Sequence, residues 1–152
     1  MVFGTTLLVE DRIMSQLKIV RAEDIQPESI RGSGEGAGQV MRIIATDKFF
    51  FNIDEVNPGH SPHHWHRHVK YRTETHEVDY PADFEEIYHI LSGQGVIQWK
   101  TDSGEVHEQD VGPGDTIYTP PDVVEHQLLN NGSETIRMAV VGVPPSRRTP
   151  LG

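Results

Sequence analysis

After the glycine-rich stretch SGEGAG (33–38), the sequence becomes a series of short apolar runs broken by Gly, Pro, Asn and Asp. That rhythm constrains the fold more than any other feature. Short runs with turn signals at regular spacing predict an all-β sandwich or barrel. VMRIIAT (40–46) and KFFFNIDEV (48–56) read as strands. EEIYHILSG (85–93) leads into GVIQWKTDSGEVHEQ (95–109), a hairpin turning at Asp102-Ser103-Gly104. GPGDTIYTPP (112–121) is a turn, a short strand and a stop, and HQLLNNGSETIRMAVVGV (126–143) reads as two strands around an Asn130-Asn131-Gly132 turn. Upstream, residues 16–31 look like a strand followed by a capped turn or short helix. PPSRRTPLG (144–152) looks like an exposed tail. The expected organisation is an N-terminal extension over 1–39, one barrel domain over 40–143 and a tail over 144–152.

The 152 residues suit one domain with one sizeable core. A formal net charge of −10 repels phosphate backbones and anionic membranes, so neither nucleic acid nor a membrane is an expected partner. No apolar run approaches bilayer length. The N-terminus meets Glu10 and Asp11 early and makes a poor signal peptide, so a cytoplasmic setting is expected. With no cysteine, a metal would have to be held by nitrogen and oxygen.

Five of the nine histidines fall in HSPHHWHRH: His60, His63, His64, His66 and His68. In an extended strand, His64, His66 and His68 share one face, and His63, Trp65 and Arg67 the other. Neighbours on one face lie roughly 6 to 7 Å apart at Cα, a spacing that suits two positions on one ion. A solvated histidine-rich loop is the plainer alternative, but this density favours metal. Ligands from elsewhere would be Glu86, which opens a strand, and His126, which follows a Pro-Pro stop. Glu85 must then face solvent.

The segment from Pro58 to Gly95 resembles the first cupin motif: a Pro-Gly turn, a His-x-His pair, then Glu86, six residues and Gly93. Gly114, Pro120, His126 and Asn130 fill the places of the second. The resemblance implies a double-stranded β-helix, a barrel of two antiparallel sheets. It also implies one divalent metal ion (Fe, Mn, Ni, Co or Zn) held by two histidines of the first motif, Glu86 and His126. The pair is His64/His66 or His66/His68. Pro62 favours the first, which is preferred here, and the string WHRH favours the second.

Three departures from the motifs matter. The pair does not stand at the usual five-residue gap from Gly59. Asp122 replaces a usual glycine, with one extra residue before His126. Nineteen residues, 67–85, separate His66 from Glu86 where the family has three or four. So long a loop, starting and ending at the metal, suits a lid or pocket wall, with Tyr71, Arg72, His76 and Tyr80 as substrate contacts and His76 as an alternate ligand. A charged surface excursion or a subunit contact is the plainer reading of the same loop.

Strand parity sets Tyr88 and Ile90 on the metal's side and His89 opposite. Tyr88 is the candidate catalytic residue, with Tyr118 and Gln98 weaker ones. Two reaction classes follow for a small-molecule substrate. Lewis-acid isomerase, lyase or cyclase chemistry on a carbonyl- or hydroxyl-bearing metabolite is preferred. Iron-dependent dioxygenation is the rival. A non-catalytic ligand binder is the third possibility, and a homodimer is expected by analogy with other single-domain cupins.

Overall fold

The structure is a computed structural model that describes residues 17–30 and 34–152. The reading of the N-terminus as a poor signal peptide lies outside these residues. Among the described residues a 3-10 turn, Ala22–Asp24, is followed by twelve strands: β1 (Glu28–Ile30), β2 (Gly38–Ala45), β3 (Phe50–Val56), β4 (Tyr71–Arg72), β5 (His76–Asp79), β6 (Glu85–Ser92), β7 (Gly95–Lys100), β8 (Val106–Val111), β9 (Thr116–Thr119), β10 (His126–Leu129), β11 (Ile136–Val143) and β12 (Arg147–Pro150). Among the described residues no helix is long and apolar enough to cross a membrane.

Three antiparallel sheets result, with strand orders β1-β2-β3-β11-β6-β9, β10-β7-β8 and β12-β5-β4. The first two resemble the paired sheets of a double-stranded β-helix. None of the sheets closes on itself by hydrogen bonding, so the expected barrel is corrected to sheets packed face to face over a shared core. The reason lies at the edges. β9 pairs only with β6, and β10 only with β7, leaving no ladder between the two sheets.

Alternation along the strands builds the interior. Ile136, Met138 and Val140 of β11, Tyr88 and Ile90 of β6, Val56 of β3, Val111 of β8 and Leu128 of β10 form one buried cluster, with Ile97 and Ile117 packed against it. At the other end of the same strands Phe50 stacks on Phe84 with centroids 6.2 Å apart. That stack needs Gly142, because any Cβ there would run into both rings.

Two elements depart from the sequence reading. In residues 17–30 the order is inverted: the 3-10 turn comes first and the strand, β1, second, paired with β2. Residues 147–150 are exposed but not loose, since β12 pairs with β5 of the insertion over four residues. The partners stand some seventy positions apart in the chain, and nothing local in either announces the pairing.

Candidate metal centre

The histidine segment is not a strand. Bends at residues 64–65 and 68–69 interrupt it, and an isolated bridge pins it to β10 at one point. There the His66 amide donates to the His126 carbonyl at 3.1 Å, and the His126 amide donates to the His66 carbonyl at 3.0 Å. A second clamp joins the two motifs further along. The Gly59 amide donates to the Asn130 carbonyl at 2.8 Å, and the Asn130 amide to the His60 carbonyl at 2.9 Å. The fully buried Asn130 side chain donates to the Val56 and Glu134 carbonyls. Gly59 takes a left-handed φ of 80°, which its turn requires and which a side chain would strain. Asp122 takes the same region with φ 57°, and Asp tolerates it better than most residues. Its carboxylate accepts from Arg67 at 3.3 Å, tying the second-motif turn to the histidine segment.

The bridge brings His66, His68 and His126 together. One ring nitrogen from each lies within 4.8 Å of the others, and these are the three side chains that group in a metal-holding arrangement among the described residues. Glu86, on β6, lies beside them, with its Oε1 3.4 Å from His68 Nε2. His64 is exposed, and its carbonyl, not its ring, faces the group. The assumed strand parity therefore fails at this residue: the pair that comes together is His66/His68. His63, on the opposite parity, turns inward at the bend, its ring 4.8 Å from that of His66. His76 is not in the group; it sits on β5 with its Nδ1 2.8 Å from the Thr75 hydroxyl.

The chemistry of these groups can be read from their partners. His66 Nδ1 lies 2.7 Å from the His64 carbonyl, and His126 Nδ1 lies 2.9 Å from the Val124 carbonyl. A carbonyl can only accept, so each Nδ1 carries the proton and each Nε2 presents a bare lone pair. Both Nε2 atoms are buried without a hydrogen-bond partner, as is Glu86 Oε1. Burying such atoms unpaired is costly. A borderline divalent cation is the partner that imidazole nitrogens and a carboxylate share. The residues present therefore fit a metal ion, and carbonyls orienting the far ring nitrogens are the usual support for such ligands.

Burial keeps His63, His66 and His126 neutral. Burial, then the neighbouring His63 and His126, holds His66 down to about 2. Burial likewise lowers His63 and His126. Asp54, inward-facing on β3 between Asn52 and Val56, is pushed up to about 7 by burial and next by the charge of Glu86. Its Oδ1 is buried without a partner. Sequence reasoning missed Asp54. A charged residue in a strand with an Asp-Glu pair reads as solvated, and only the buried Asn52 two positions earlier hinted at parity.

The remaining candidates separate cleanly. Tyr88 is a buried member of the apolar cluster, and burial holds its phenol well above the usual range, so it is a neutral O–H donor. His89 faces the other side and contacts Thr116. Tyr118 is exposed and donates to Glu85. Gln98 lies on the outer face, bonded to Glu108 and Gln127. In the insertion, Tyr80 stands 5.1 Å from His68 and 4.7 Å from Phe84, and Tyr71 stacks on Tyr80 at 6.3 Å. Arg72 is exposed on β4. Two hollows of about 360 and 430 Å3 open near β1, and neither is lined by these histidines.

Solved structures share this architecture. A predicted oxalate decarboxylase from Thermotoga maritima superposes with a TM-score of 0.60 at 22% identity, covering 83% of this chain and 98% of that one. The polyketide cyclase RemF from Streptomyces resistomycificus gives 0.59 at 22% identity over 90% and 87%. KdgF from a Halomonas species gives 0.57 at 12% identity over 86% and 96%. At such identities the likeness shows the fold alone, the double-stranded β-helix that the cupin resemblance implied. No protein-family model and no curated protein sequence matches the chain.

Proposed function

We propose that the chain is a metal-dependent cupin enzyme in which His66, His68, His126 and Glu86 hold one divalent cation. The observation that carries this reading is the pair of buried Nε2 lone pairs on His66 and His126, each fixed by a backbone carbonyl and neither partnered. His68 takes the place first given to His64, because the ring of His68 groups with the others while His64 is exposed. Such an ion would supply Lewis-acid polarisation of a carbonyl or hydroxyl oxygen. The chain's own residues do the rest. Phe84 and Tyr80 pack against His68 and cover it on one side, with Phe50 stacked behind Phe84. The Thr119 hydroxyl donates to the Glu86 carbonyl at 3.0 Å and fixes the strand that carries the carboxylate. Tyr88, protonated at every physiological pH, holds an O–H donor beside Glu86.

The substrate class that follows is a small metabolite with carbonyl or hydroxyl oxygens, and the reaction class is isomerase, lyase or cyclase chemistry. The names of RemF and of the predicted oxalate decarboxylase, both cupin-fold proteins, lend support to lyase and cyclase readings. Metal analysis of untagged protein with an oxygen electrode tests it. Zinc, nickel, cobalt or manganese at one equivalent, with no oxygen consumed on adding carbonyl or hydroxy-acid substrates, is expected. Iron with substrate-dependent oxygen uptake would contradict it and point to a dioxygenase.

A further inference from the structure

The six-stranded sheet that turns Glu86 inward presents an unusual surface outward. A sheet with one packed face ordinarily alternates apolar-in and polar-out. β6 and β11 break that pattern. Glu86, Tyr88 and Ile90 of β6 and Met138 and Val140 of β11 are buried, yet the alternate positions Ile87, Leu91, Val141 and Val143 are apolar as well. Register sets Phe51, Val141, Ile87 and Tyr118 side by side in one row across β3, β11, β6 and β9. Ile87, Leu91, Tyr118 and Val143 are large apolar or aromatic side chains between 39% and 54% exposed. Scattered apolar residues on a surface need no explanation, but a contiguous row of them marks a contact.

We propose that a second copy of this chain docks on the outer face of β3, β11, β6 and β9, sheet against sheet about a two-fold axis. Charge selects this face. The chain carries a net −10, so two copies repel one another except where the surface is close to neutral. On the outward positions of these four strands Arg137 stands 3.5 Å from Glu55 and offsets it, and Glu85 leaves the face at −1. The edge of the three-stranded sheet is the opposite case: β8 is exposed from Val106 to Asp110 and carries Glu108 and Asp110. In a two-fold contact the same patch meets itself. Two acidic β8 edges would bring like charges together, whereas here an apolar row meets an apolar row. A partner chosen for opposite charge would find almost none to read on this face.

The dimensions suit such a contact. Four strands about 4.8 Å apart, running for about eight residues at about 3.4 Å each, give roughly 500 Å2 in plan. Side-chain relief brings that to the order of the ~800 Å2 that each partner buries in a standard interface. Stacked sheets pack with their side chains interleaved. Docking here lies on the side of β6 away from Glu86, so it leaves the histidine side of the sheet open.

Sedimentation equilibrium of the full chain over about 1 to 100 µM tests the proposal. The wild type is expected at twice the 17.1 kDa chain mass. Ile87→Glu and Leu91→Glu are each expected to weaken the dimer by about a hundredfold or more, because like charges then meet across the axis. Tyr118→Ala adds no charge at an exposed position and is expected to weaken it by about tenfold. Val106→Glu, exposed on β8, is expected to leave the dimer as it is. Circular dichroism checks that each variant is folded, and Tyr118→Ala carries the test if the glutamate variants are not. A dimer unchanged in the folded Ile87, Leu91 and Tyr118 variants would place the contact elsewhere and overturn the proposal. So would a wild type that stays monomeric throughout. In that case a lowered melting temperature in Ile87→Glu would mean that the face is covered within its own chain, and an unchanged one that it is left to a different protein.

Discussion

The two ends of the interior are built from the same strands and behave as different materials. β6 runs inward-facing from Glu86 through Tyr88 to Ile90, β10 from His126 to Leu128, and β3 from Asn52 and Asp54 to Val56. Around Ile90 the inward side chains are apolar and packed except for Asp54; around Glu86, His66 and His126 several ionisable groups have no partner, beside Phe50 and Phe84. The register shows where the two interleave, at Asp54. Asp54, Met138 and Ile90 form one cross-strand row, and Asn52, Val140 and Tyr88 the next. Packing secures the fold around one group so that unpartnered polar atoms can be tolerated at the other, the usual division between scaffold and site.

Substitutions at the two ends should therefore fail differently. The largest effect is expected from His126→Ala or His66→Ala, which should lower cobalt or zinc affinity by more than about a hundredfold, since even residues supporting a ligand contribute about 10–100-fold. Metal titration checks it, and the folded spectrum should persist. Met138→Ala, at the apolar end, should cost about 2–5 kcal/mol in urea unfolding and leave metal stoichiometry at one. A Met138 variant that lost metal while folded would break the division.

The pH dependence of the metal-free protein should be smaller and opposite in sign at two groups. His66, His63 and His126 are held below their ordinary value, so the native state refuses protons that the unfolded chain accepts. Their contribution to stability is present above about 6.5 and is lost progressively as the pH falls towards about 2. Asp54 is raised from 3.8 to about 7. Between those values the native state binds the extra proton, so its contribution falls as the pH rises through that window. Asp54→Asn should accordingly raise the melting temperature at pH 8 and leave it unchanged near pH 4. An equal shift at both pH values would mean that Asp54 is not a buried, proton-holding group.

Much of this was legible in the sequence where local chemistry decides. The Asp102-Ser103-Gly104 turn, with Gly104 at φ 84°, joins β7 to β8 as read. Inward parity along β6 followed from its alternation. Asp122 occupies the left-handed position that explains why glycine is usual there. What escaped was set by contacts distant in the chain. The His66–His126 bridge bends the histidine segment away from strand geometry, so counting by twos misplaced His64 and His63. The β5–β12 pairing made a strand of an apparent tail. The expected barrel depended on edges meeting, which short strands such as β9 and β10 do not enforce.

The most direct test of the central claim is the metal content of three untagged proteins purified side by side: the wild type, His64→Ala and His68→Ala. One equivalent of divalent metal is expected in the wild type and in His64→Ala, with His68→Ala depleted. Metal retained in His68→Ala and lost from His64→Ala would contradict the site as described.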